Sequence, residues 1–148
     1  MKNILFVCTG NTCRSPMATA IATDFFAKNN IGAAASSCGV YAWDEAKASP
    51  AAVLTMAKIG LDLTAHNARR ANIDIMTTAT TVITMSASHK AHLLAEFAQF
   101  ADKIFTLREL CSETGDIADP FGGDAATYKA CADEIQNCIE KINWRDLP

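Results

Sequence analysis

The sequence has no surplus of basic residues, no long apolar run, no tandem cysteine motif and no internal repeat. Each absence removes a class of function. Lysine and arginine number 13 against 16 aspartates and glutamates, a net charge of −3, so the balance is not that of a chain built to neutralise a nucleic-acid backbone. The opening apolar run, Ile4-Leu5-Phe6-Val7-Cys8, is too short for a secretory signal and far too short to span a bilayer. The expectation is a cytoplasmic protein with no nucleic-acid or membrane partner. Six cysteines without a secretory signal read as free thiols, not a disulfide framework. There is no C-x-x-C, and His66, His89 and His92 stand at no ligand spacing to the cysteines, so neither a metal nor another cofactor is expected. Without a repeat, a low-complexity tract or a proline-rich linker, residues 1–148 read as a single domain around one core.

What the chain does have is an alternation of short β-branched runs with helical patterns. Lys2–Val7, Ala33–Cys38, Thr80–Met85 and Lys103–Leu107 read as strands. Ser15 and Pro16 mark a helix start, as cap and first helical residue, for a helix running to about Lys28; Ser49-Pro50 repeats the signal for a helix ending at Gly60. Ser86–Phe100 reads as a helix and Leu61–Asn72 mostly as loop. From about Asp124, residues Tyr128, Cys131, Ile135, Cys138 and Ile142 form an apolar stripe along a final helix. The order implies an open, mainly parallel α/β sheet, in which ligands bind beyond the carboxyl ends of the strands.

Cys8 stands at such an end, and Arg14 follows six residues later. Given the composition, roughly 0.2 such pairs arise by chance, so spacing alone is weak. The context carries more: the pair follows a strand, encloses Thr9, Gly10, Asn11, Thr12 and Cys13, and runs into a helix start at Ser15. Gly10 and Asn11 tolerate unusual backbone angles. Successive backbone N–H groups and the positive end of a helix suit a phosphoryl dianion. Arg14 adds a planar fork for two of its oxygens. The same field favours a thiolate at Cys8, to which Ser15 can donate a hydrogen bond. A nucleophile also needs an acid for the leaving group, and the turn Asp119-Pro120-Phe121-Gly122-Gly123 can bring a carboxylate over the loop.

The loop Cys8-x5-Arg14-Ser15 with Asp119-Pro120-Phe121, Ser37-Cys38-Gly39, His66-x-x-Arg69 and Met85 with His89-Lys90 closely resembles the low-molecular-weight protein tyrosine phosphatase family, over essentially the whole chain. The resemblance implies a single-domain open four-stranded parallel sheet with helices on both faces. It makes Asp119, in preference to Asp116 or Asp124, the general acid, and gives Asn11, Ser15, Ser37 and His66 supporting hydrogen-bond roles. Within the family, Cys8-Thr-Gly-Asn-Thr-Cys-Arg-Ser-Pro-Met-Ala18 with Asp-Pro-Phe-Gly-Gly123 is most similar to the bacterial protein-arginine phosphatases. Tyrosine-directed members usually carry an aliphatic residue in place of Thr12. The expected substrates are therefore phosphorylated proteins, phosphoarginine ahead of phosphotyrosine, with phosphate as product or inhibitor and a monomer or weak homodimer as the working form.

Several residues keep two readings. Trp43 and Phe121 are pocket walls or ordinary packing. Cys13 is loop packing or a redox partner for Cys8. Cys131 and Cys138 read as core, Cys111 carries no signal, Cys38 replaces a common alanine without evident reason, and His89 and His92 look like a helix surface. Arsenate reduction on the same fold would need further redox cysteines near the loop, and Thr84–Leu94 has none. A phosphocarrier that only accepts phosphate on cysteine would not need both Arg14 and Asp119.

Overall fold

The computed structural model describes residues 1–148. Four strands, β1 (Lys2–Cys8), β2 (Ala33–Gly39), β3 (Thr81–Thr84) and β4 (Ile104–Thr106), form an all-parallel sheet in the order β2-β1-β3-β4. The helices are α1 (Arg14–Lys28), α2 (Pro50–Ala57), α3 (Ile73–Thr78), α4 (Ala87–Glu96), α5 (Leu107–Leu110) and α6 (Ala125–Lys141).

Strand alternation explains the layering. Ile4, Phe6 and Cys8 point to one face, where α1, α2, α5 and α6 supply Met17, Met56, Leu107 and Ile135. Leu5 and Val7 point to the other, against Met76 of α3 and Leu93 of α4. Helices thus cover both faces, and β1 is buried on each side. Trp144 closes the far end of the larger layer, its ring edge-on to Phe26 at 4.8 Å and its indole N–H on the Ile139 carbonyl at 2.9 Å.

The winding reverses between β2 and β3, on either side of β1, so the carboxyl end of β1 is the crevice where this architecture takes ligands. Two expectations about elements need correction, and one helix is added. Helix α1 begins at Arg14 with Cys13 before it, and no side chain caps it; the Ser15 hydroxyl is drawn inward instead. Phe97 ends α4, and Ala98–Lys103 is a separate 3₁₀ turn. The helix α3, absent from the sequence reading, is short and capped by Asn72 on the Ile75 N–H at 2.9 Å.

Candidate active site

The segment Thr9–Cys13 joins the end of β1 to α1. None of the fold's hydrogen bonds uses the backbone N–H of Gly10, Asn11, Thr12 or Cys13 as a donor. Four such N–H groups in succession at the start of a helix form a ready cradle for an anion.

Asn11 holds this segment in shape. Its φ is 58°, a left-handed conformation that asparagine tolerates better than most residues. Gly10, by contrast, does not take a positive φ. The Asn11 amide donates to Ser15 Oγ and Ser37 Oγ, both at 2.8 Å, and its Oδ1 accepts from the Arg69 N–H at 3.0 Å. Its carbonyl lies 2.7 Å from His66 Nε2. Ser37 and His66 therefore both meet the loop through Asn11. Because Ser15 Oγ accepts from Asn11, its own proton can go to the Cys8 sulfur, 2.9 Å away, with the Cys38 carbonyl a longer alternative at 3.4 Å. Gly39, at the end of β2, is required by close approach: a Cβ there would overlap the Thr9 carbonyl and lie 3.0 Å from the Asn11 nitrogen.

Arg14 is buried and doubly anchored. Nη1 donates to the Ile117 carbonyl at 2.9 Å, and Nη2 lies 3.4 Å from Thr9 Oγ1 and 3.7 Å from Asp119 Oδ2. Asp119 is half exposed, and its Oδ1 accepts from the Phe121 N–H at 3.1 Å. Cys8, Thr9, Gly10, Thr12, Cys13, Arg14, Asp119 and Phe121 line one cavity of about 240 Å³. A cavity of this size takes a phosphoryl group and the first atoms of whatever bears it. Phe121 stands at its mouth, 75% exposed, whereas Trp43 does not line it and projects into solvent, 84% exposed. Cys13 is buried, with Ser49 Oγ at 3.2 Å and Tyr128 Oη at 3.3 Å. Cys38 is buried beside Val7, where loss of solvation pushes its thiol up to about 12.

His89 departs most from its expected place. It is buried at 4% exposure, and its ring spans Ser86 Oγ, 2.9 Å from Nδ1, and Thr9 Oγ1, 2.8 Å from Nε2. A consistent proton order follows: Arg14 donates to Thr9, Thr9 donates to Nε2, and Nδ1–H donates to Ser86, which requires neutral imidazole. Burial, and then the Arg14 guanidinium, push His89 down to about 4. A larger groove of about 530 Å³ between α1 and residues 61–66 holds no comparable set of groups.

The model of low molecular weight phosphotyrosine protein phosphatases matches residues 3–145. The chain belongs to this family. Its relatives include the protein-arginine-phosphatase of Geobacillus stearothermophilus, 40% identical over 94% of this chain and 92% of the relative. Another is the low molecular weight protein-tyrosine-phosphatase PtpB of Staphylococcus aureus, 33% identical over 94% and 95%. Among solved structures, a cysteine-to-serine mutant of the YwlE arginine phosphatase with a phosphorylated active site serine superposes with a TM-score of 0.91 at 35% identity, covering 94% of this chain and 91% of that one. As a low molecular weight phosphatase, the chain takes phosphorylated proteins as its class of substrate and releases phosphate.

Proposed function

We propose that this phosphatase hydrolyses phosphoarginine on proteins, with Cys8 as nucleophile, Arg14 as phosphate clamp and Asp119 as acid and base. The Cys8 sulfur attacks phosphorus while the loop N–H groups and Arg14 hold the equatorial oxygens. The P–N bond breaks, and the departing guanidine nitrogen takes a proton from Asp119. Water, deprotonated by Asp119, then cleaves the thiophosphate and regenerates Cys8. The chain's own groups supply the charge this sequence needs.

The observation that carries the substrate preference is Thr12 in the same cavity as Cys8 and Asp119. A hydroxyl there can bond a guanidinium nitrogen or the attacking water, which an aliphatic side chain cannot do. While one Asp119 oxygen carries the proton for the leaving nitrogen, the other can accept from the remaining guanidinium N–H groups, which a phenyl ring lacks. The reading is further supported by relatives named protein-arginine-phosphatase at 40% and 36% identity, and the phosphorylated serine of the solved mutant agrees with a covalent intermediate at the cysteine position.

The test is kcat/KM on phosphoarginine and phosphotyrosine peptides, before and after Thr12→Ile. The unmodified protein should favour phosphoarginine, and the substitution should lower that ratio by about tenfold or more. Faster phosphotyrosine turnover by the unmodified protein would reverse the assignment. Turnover surviving in Cys8→Ser would remove the thiolate mechanism itself.

A further inference from the structure

Two buried thiols lie together away from the candidate active site. Cys111 caps the end of α5, Cys138 sits on α6, and their sulfur atoms are 3.0 Å apart. Neither lines the cavity that holds Cys8. A disulfide has its sulfurs about 2.05 Å apart, so about 1 Å of closure would join them. Their surroundings favour a bond between the sulfurs over capture of a metal ion. Glu113 completes a possible set of three donors, but Arg108 and Lys141 already hold its carboxylate, and Arg108 Nη1 lies 3.5 Å from Cys138 Sγ. A metal would have to displace two resident cations.

We propose that Cys111 and Cys138 form a reversible disulfide under oxidising conditions, a staple separate from the phosphatase loop. The bond would close the 27-residue separation that contains Asp119, Pro120 and Phe121, tying α5 to α6 on either side of the acid-bearing segment. With hydrogen peroxide as oxidant, the sulfur of one thiol takes an oxygen as the O–O bond breaks. The remaining hydroxide leaves with the thiol proton as water. The second sulfur then displaces hydroxide from the sulfenic acid, and that hydroxide and the second thiol proton depart as another water. Two thiols and one peroxide become one disulfide and two waters. Cys111, 6% exposed against none for Cys138, is the one the oxidant reaches first. Cys138 is fully buried, and burial and the neighbouring Cys111 push its thiol up to about 12 despite Arg108 at 3.5 Å, so it acts second, as the resolving thiol.

The experiment uses the full chain carrying Cys8→Ser and Cys13→Ser, which leaves four thiols. After hydrogen peroxide, denaturation and maleimide labelling, two thiols should label in place of four. Cleavage at lysine, arginine and glutamate, which separates Cys138 from Cys131 at Glu134, should give one Cys111–Cys138 linked peptide that dithiothreitol releases. The oxidised protein should melt roughly 5–10 °C higher than the reduced one. Adding Cys111→Ser should restore labelling of every remaining thiol. Four labelled thiols after peroxide, or a link through Cys38 or Cys131, would overturn the pairing. A linked peptide without a rise in melting temperature would overturn the staple. Digestion of the unsubstituted protein gives the same peptide-level answer if the double variant folds poorly.

Discussion

A histidine that does not itself line the phosphate cavity, and is nearly closed to solvent, carries more of this site than its position on a helix suggests. His89 connects Ser86 to Thr9, and Thr9 to Arg14. Asp116 and Asp119 pull its proton affinity upward, but burial and Arg14 outweigh them and hold it at about 4. In the unfolded chain a histidine titrates near 6.5. The native state binds fewer protons than the unfolded state between those values, so stability should rise with pH across that interval and level off above it. The expected contribution is no more than about 3 kcal/mol. Urea midpoints measured from pH 4 to 8 should show the slope, and His89→Gln, neutral throughout, should flatten it. An identical slope in the variant would mean that other groups set it. The carboxylates with lowered affinity, Asp62, Asp124, Glu109 and Glu113, lose their contribution at lower pH, below about 4.5.

At this scale the loop itself was legible because its chemistry is contiguous: Cys8, Arg14 and Ser15 lie within eight residues of one another. His89 was not, although a signal existed. It is four residues before buried Leu93 and so shares that residue's inward face. The Ile117 carbonyl that anchors Arg14 left no trace in the sequence, since any residue type supplies a carbonyl. Nor did the Cys111 turn reveal that Cys138 would lie beside it.

Among the elements, β2 shows how a strand of small residues serves the site. Ala33–Gly39 contributes little bulk, but its end delivers Ser37 to Asn11 and brings Gly39 against the Thr9 carbonyl. Gly39→Ala should therefore push the loop outward, costing about 1–3 kcal/mol of stability and lowering kcat/KM by more than tenfold. Gly32→Ala, where the added methyl meets nothing within 4 Å, is the control and should leave both near the unmodified values. Equal effects at the two positions would show that the contact does not set the loop. The order of strands and helices was readable from hydrophobic period and caps, as at Ser49, whose side chain accepts from the Ala52 N–H; the cap at Asp124, accepting from Thr127, was not read. The start of α1 was not readable, because Ser15 spends its hydroxyl on Cys8 and Asn11 partners and local capping preference yields to that network.

Over the whole molecule, a net charge of −3 opposes the approach of a phosphate dianion, so attraction must come from the loop's own N–H groups and Arg14 at short range. Inorganic phosphate, bound only by the folded loop, should then stabilise the entire fold by mass action. At about 100 times its Kd the gain is about 2.7 kcal/mol, a rise in Tm of roughly 5–10 °C. Arg14→Ala should abolish the rise when melting is followed with and without phosphate. A rise that persists in the variant would place the binding elsewhere.

The hydrogen bond from Arg14 to Ile117 crosses 103 residues of sequence. On the ribosome, the phosphate loop emerges about a hundred residues before Ile117 and Asp119, so its arginine waits for that intervening stretch before it is clasped and the acid arrives. A nascent chain therefore carries the nucleophile long before it carries a catalyst, and turnover should switch on only once the segment holding Ile117 and Asp119 has been made and folded.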